Sequence, residues 1–111
     1  LKWILDQGCF LGLDRYPGRL VSPHMRTVTL KKLMDMGYGE RLCPSHDCIC
    51  LHIHNEQADG TIAKQHDFHK SNPDQYLFMH RHVIPELQEL GATDRDIEML
   101  FVDNPRRLFE A

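Results

Sequence analysis

The chain has 111 residues, 41% of them hydrophobic and 26% charged, with a formal net charge of −3 at pH 7. That is globular material with apolar content for one small core. It has no basic stripe to release counterions from nucleic acid, no apolar run near the roughly 20 residues that span a bilayer, and no signal-peptide pattern at its first residues. Neither nucleic acid nor a membrane is therefore expected as a partner. The four cysteines, Cys9, Cys43, Cys48 and Cys50, lack the spacing of a disulfide-dense scaffold, so reduced thiols and a cytoplasmic location are expected.

Leu1, Ile4 and Leu5 with Gly8 behind them read as the closing turn of an amphipathic helix, residues 1–8, with no N-cap before it. A start inside a helix leads us to expect a truncated domain. Cys9 to Leu13 is an unbroken apolar run, read as a strand buried on both faces over 9–15 and turning polar at Asp14-Arg15. Tyr16 to Arg26, with Pro17, Gly18 and Pro23, reads as a loop. Thr27 then caps a helix over 27–37, with Leu30, Leu33 and Met34 on one face and Gly37 at its end. A second strand over 41–47 closes on His46-Asp47.

Residues 48–80 show no sustained period, contain Gly60 and Pro73, and read as one long loop with some helix near its end. Val83, Ile84, Leu87 and Leu90 form a helical face over 81–91, with Pro85 either in the first turn or kinking a longer helix. Over 94–110 the C-terminal helices open on Thr93 with Asp96 three residues on, a capping-box pattern. Ile97, Leu100 and Phe101 form the buried face, and Asn104-Pro105 reads as a second cap with proline at the first helical position. Strand, helix and strand in alternation predict an α/β fold with parallel strands joined by a right-handed crossover. Both strands end in polar residues at the edge where such folds place their chemistry.

Four motifs carry a family resemblance: Gly12-Leu13-Asp14-Arg15-Tyr16; Gly37-Tyr38-Gly39-Glu40-Arg41 leading to Ser45-His46-Asp47; Val83-Ile84-Pro85; and Val102-Asp103-Asn104-Pro105-Arg106-Arg107. In this order they resemble the seventh strand, the eighth strand with its terminal aspartate, the eighth helix and the closing segment of phosphotriesterases and phosphotriesterase-like lactonases. The resemblance implies a partial (β/α)8 barrel, the last two strand-helix units plus C-terminal helices. It implies two divalent metal ions in the complete enzyme, zinc first and iron, cobalt or manganese as alternatives, bridged by a hydroxide that attacks an ester, lactone or phosphotriester substrate. It also implies a homodimer like that of similar lactonases.

The same resemblance implies that Asp47 is a metal ligand and accepts the proton of the nucleophile, two tasks that suit a carboxylate. The alternative for Asp47 is a loop or helix-cap aspartate. Arg15 stands where lactonase-like members carry arginine and strong organophosphate hydrolases carry histidine, which implies a substrate contact; the alternative is a surface ion pair with Asp14 or a loop anchor. Ile49 and Cys50, at the start of the long loop, would line the substrate pocket. His46 should face away from Asp47 and serve packing. The sequence departs from the family pattern at Pro44, inside the second strand, and at Pro17.

A different class of function comes from Cys48, Cys50, His52 and His54, with His66 and His69 nearby, which would suit an autonomous Cys/His metal-binding or interaction module. On an extended strand these alternate residues lie about 6.6–7 Å apart, so four of them cannot reach one tetrahedral ion. A complete barrel of the implied type takes about 250 residues and eight strands. The further ligands of its metal pair, from other strands, have no counterpart here, so a chain of this extent is expected to be inactive alone.

Overall fold

The computed structural model describes residues 1–18, 20–46, 48 and 72–110. Among them lie two strands, β1 (Leu11–Tyr16) and β2 (Leu42–His46), paired in parallel. Helix α1 (Lys2–Asp6) precedes β1 and α2 (Pro23–Leu33) connects the strands. After β2 come α3 (Ile84–Glu89), α4 (Asp94–Glu98) and α5 (Asn104–Phe109). The parallel pairing is the arrangement expected from strands separated by a crossover helix.

The core is one layer of side chains between the sheet and the helices. Leu11 of β1 and Leu42 of β2 meet Leu30 and Leu33 of α2, Val83 and Leu87 around the start of α3, and Leu100. On the opposite face the sheet is open among the described residues: Gly12 is exposed, and a Cβ added there would meet nothing within 4 Å. The expectation of a first strand covered on both faces is therefore corrected within these residues. Its alternate positions differ, with Leu11 and Leu13 packed and Gly12 and Asp14 exposed, which is the pattern of a one-sided sheet.

The crossover helix begins four residues earlier than the sequence pattern suggests. Ser22 is its cap, accepting from the Met25 N–H, and Pro23 sits in the first turn, where its missing N–H costs nothing. Thr27 is inside the helix and fully buried, its hydroxyl donating to the Pro23 carbonyl at 3.0 Å. Proline reads as loop chemistry by composition, whereas after a serine it is also a helix start.

The helix ends through a wider turn, Met34–Tyr38, broken by Gly37 at φ +89°. A short 3-10 turn, Gly39–Arg41, then feeds β2. This glycine-rich segment is a packing joint. A Cβ on Gly39 would lie 2.6 Å from the Met99 methyl carbon, Tyr38 donates to the Asp6 carboxylate, and Arg41 donates to the Gly8 carbonyl at 2.8 Å.

The last two helices form one rod from Asp94 to Phe109, continuous through a π turn at Met99–Asp103. Its start has the full capping box: the Thr93 hydroxyl accepts from the Asp96 N–H at 3.2 Å and the Asp96 carboxylate accepts from the Thr93 N–H at 2.8 Å. Asn104 caps nothing, contrary to its sequence reading. Its backbone is helical and its side chain fully buried, donating to the Gly39 carbonyl at 2.7 Å and the Leu42 carbonyl at 2.8 Å. Both carbonyls flank the start of β2, so one amide ties the closing rod to the sheet.

The helical segment before it begins within the end of the 48–80 stretch, where some helix is expected. A 3-10 turn at Gln75–Leu77 and a π turn at Met79–Val83 lead into α3, which passes through Pro85. Gly91 at φ +92° ends it, and Leu90 is exposed and outside the buried face formed by Val83 and Leu87. Asp74 holds this start by accepting from Arg81 and from His82 at 2.6 Å. The His82 ring, and then Arg81, keep its carboxyl below the usual carboxylate range.

Asn104→Ala should destabilise the protein by about 2–4 kcal/mol, because two buried hydrogen bonds between the rod and the start of β2 are lost. Asn104→Asp should cost more, since it aims oxygens at oxygens. Thr93→Ala should cost only about 1 kcal/mol. Urea unfolding of the three variants tests this ranking.

The Asp74 tie carries a pH dependence of fixed sign. Because the folded state depresses this pKa, its stabilisation is present above the ordinary carboxylate value of about 4 and is lost as pH falls through the depressed value. Amide exchange over residues 75–83 should rise across that acid range, and Asp74→Asn should abolish that part of the change.

Candidate functional site

The polar ends of β1 and β2 lie side by side. The register runs Leu11 with Leu42, Gly12 with Cys43 and Leu13 with Pro44, then resumes at Tyr16 with His46. Two residues of β1, Asp14 and Arg15, thus oppose the single Ser45 of β2, which is a β-bulge. It begins at Pro44, which has no N–H to give the ladder, and bulges are among the places where a strand tolerates proline.

The bulge decides which side chains reach the helix layer. In an unbroken strand Arg15 would share the parity of Leu11 and Leu13 and enter the core. The extra residue hands that place to Tyr16, which is 1% exposed, and leaves Asp14 and Arg15 both exposed. The energetics favour the exchange. A buried tyrosine removes about 150–250 Å² from water, worth a few kcal/mol at ~25 cal/mol/Å², whereas an unpaired guanidinium in the same place costs several kcal/mol. Neither Asp14 nor Arg15 pairs through its side chain with another described residue, so the ion-pair alternative for Arg15 is not the arrangement found.

Beneath the bulge, the Tyr16 hydroxyl stands 3.5 Å from Thr27 Oγ1, which itself donates to the Pro23 carbonyl. Thr27 therefore has only acceptor capacity left for the phenol. Burial pushes the phenol pKa above its ordinary value, so Tyr16 stays neutral and acts as a donor.

On β2, Leu42 and Pro44 are buried with the helix layer while Ser45 is exposed. Cys43 is half-buried and burial raises its thiol pKa, which leaves it a poor thiolate. The His46 ring meets Tyr76 edge-on, centroids 4.9 Å apart, and the Tyr76 hydroxyl donates to the Cys48 carbonyl at 3.4 Å. His46 thus has the packing environment expected of it. Tyr76 escaped the sequence reading because it lay in a stretch without helical period. The signal that could have found its turn is Asn72-Pro73-Asp74, where the Asn72 side chain accepts from the Gln75 N–H at 3.0 Å.

Of the expected site residues, Arg15 is at the carboxyl end of β1, while Asp47, Ile49 and Cys50 lie outside the described residues. So do Cys50, His52, His54, His66 and His69 of the Cys/His cluster, leaving Cys48 alone described. Among the described residues no three His, Cys, Asp or Glu side chains are grouped to hold a metal, and no helix is long and apolar enough to cross a membrane.

The sequence profile of the phosphotriesterase family matches residues 1–109. A phosphotriesterase homology protein of Mycobacterium tuberculosis is 30% identical over 113 residues, covering 99% of this chain and 32% of that protein. An aryldialkylphosphatase of Saccharolobus solfataricus is 32% identical over 111 residues, covering 98% and 33%. The chain therefore spans about a third of the length of the curated relatives it matches. Among solved structures, the phosphotriesterase from Mycobacterium tuberculosis superposes with a TM-score of 0.77 at 29% identity, over 98% of this chain and 32% of that one. The organophosphorus hydrolase from Deinococcus radiodurans superposes with a TM-score of 0.78 at 25% identity, over 97% and 32%. A profile matched along almost the whole chain, with the parallel pair of strands and its crossover helix, leaves one conclusion: the chain belongs to the phosphotriesterase family.

Proposed function

We propose that the chain is the C-terminal part of a single amidohydrolase-type (β/α)8 barrel that hydrolyses lactones or aryl phosphotriesters. In this reading residues 1–8 end the sixth helix, β1 and β2 are the seventh and eighth strands, and residues 48–80 are the eighth loop. The observation that carries the reading is the shared carboxyl edge of β1 and β2, where a bulge exposes Arg15 beside the chain leading to Asp47. The names of the relatives, an aryldialkylphosphatase and an organophosphorus hydrolase, support ester hydrolysis as the reaction class.

Asp47 is the residue proposed to hold one metal and to take the proton released as the nucleophile adds. Along an extended strand its position shares the parity of Cys43 and Ser45 and opposes that of Leu42 and Pro44, so alternation favours the side away from the helices. The described residues hold no ligand set of their own, and the two metals enter as an implication of the family. When bound, they would activate water and neutralise charge developing on the carbonyl or phosphoryl oxygen. Arg15 would donate to a substrate oxygen, and Ile49 and Cys50 would shape the pocket wall. The arginine, where histidine would suit phosphotriesters, places lactones first. A cytoplasmic homodimer is the setting this reading expects, and a chain of this extent alone is expected to be inert.

In the enzyme that carries this chain, Asp47→Asn should lower turnover of lactone and aryl phosphotriester by about 100- to 10,000-fold, since the amide cannot take the proton. Metal content measured on the same protein separates ligand loss from base loss. Near-normal turnover with full metal would remove Asp47 from the site. Arg15→His should instead shift the preference between the two substrates by about 1–3 kcal/mol with the metal content intact. An unchanged ratio of kcat/KM values would remove Arg15 from the substrate contacts.

A further inference from the structure

We propose that Tyr16 is a positioning residue for Arg15, its buried anchorage on Thr27 holding the bulge that presents the guanidinium to substrate. The proposal rests on the reading of Arg15 as a substrate contact and adds to it the element that sets its direction. Three observations converge on it. The register slips by one residue between Leu13 and Tyr16, so that Tyr16 and not Arg15 occupies the helix layer. The Tyr16 hydroxyl faces Thr27 Oγ1, whose proton is committed to the Pro23 carbonyl, linking the strand end to the first turn of α2. The connecting loop also folds back on Arg15: a Cβ on Gly18, at φ +70°, would lie 2.6 Å from the Arg15 carbonyl oxygen and 2.6 Å from Arg26 Nε. Arg26 Nε in turn donates to the Val21 carbonyl at 3.3 Å. The Arg15 carbonyl thus lies close against Gly18, while its side chain makes no hydrogen bond or ion pair with a described residue.

This arrangement separates two jobs that one residue could not do. A side chain that must reach a substrate cannot also anchor itself in the core, so the anchor is the next residue. Tyr16 reaches substrate through no atom of its own, being 1% exposed, and acts only through the backbone it shares with Arg15.

A double-mutant cycle in the enzyme carrying this chain tests the proposal, using Tyr16→Phe, Thr27→Val and Arg15→Gln, with lactone kinetics read as KM and kcat separately. Tyr16→Phe and Thr27→Val keep the volume of the core, so folding is preserved while the hydroxyl link is cut. Each should raise KM by about 3- to 10-fold with kcat nearly unchanged, and each should lose that effect in the Arg15→Gln background. The Arg15 Nε–H resonance should move in both single variants. If Arg15→Gln raises KM but Tyr16→Phe and Thr27→Val do not, the positioning role is overturned and the Arg15 contact stands. Equal effects with and without Arg15 would also overturn it, reducing Tyr16 to packing. If Arg15→Gln leaves KM unchanged, the substrate contact itself falls and the positioning role falls with it.

Discussion

One buried amide holds the described parts in register. Asn104 sits in the middle of the closing rod, distant in sequence from the strands, and gives both of its protons to carbonyls that bracket the entry to β2. Those carbonyls belong to Gly39, which also accepts from the Leu42 N–H, and to Leu42 at the first position of β2. Two buried hydrogen bonds from one amide favour docking of the rod where that amide meets the joint. On the other side Met99 of the rod packs against Gly39, and a side chain there would require the flexible end of Met99 to shift. This contact ties the start of β2 to the closing helices, beside the pairing with β1 and the packing of Leu42 in the core.

A second constraint acts at the polar carboxyl edge of the two strands. β2 is seated by its joint and β1 must pair with it, yet Pro44 cannot donate to the ladder. The strand accommodates by one extra residue in β1, and the parity change puts a tyrosine into the core and an arginine out of it. An aromatic ring gains from burial and a guanidinium loses, so the same bulge satisfies packing and leaves a charged donor at the strand end. Structure and proposed function meet here: a departure from regular pairing next to Pro44 goes with the exposure of Arg15.

The sequence shows the fold where hydrophobic period and turn chemistry agree. Leu30 and Leu33, Val83 and Leu87, and Leu100 all lie in the core, and Thr93 with Asp96 forms the cap that their spacing announces. It misleads where one residue type has two uses. Pro23 signals a loop by composition but starts a helix after Ser22, and Asn104 before a proline imitates a cap while its amide is spent on a long-range contact that no local pattern contains. The bulge is illegible for the same reason, since it depends on pairing between Leu13 and Pro44, far apart in the chain. Tyr76 and Asp74 lie beyond a stretch without period, and their roles follow from contacts with residues before and after them. The candidate site was legible mainly through motif order: Gly12 to Tyr16 and Ser45 to Asp47 read as two strand ends, and the parallel pair places their described residues side by side.

The central claim is that the carboxyl edge of β1 and β2 is the mouth of a metal-dependent hydrolase. The most direct measurement is an anomalous-scattering map at the zinc edge from crystals of the enzyme that carries this chain, grown with zinc. The account predicts a metal peak about 2.0–2.2 Å from an oxygen of Asp47, with the Arg15 guanidinium turned toward the same cavity. A zinc peak held instead by the cysteines and histidines of residues 48–69, with Asp47 carrying none, would contradict it.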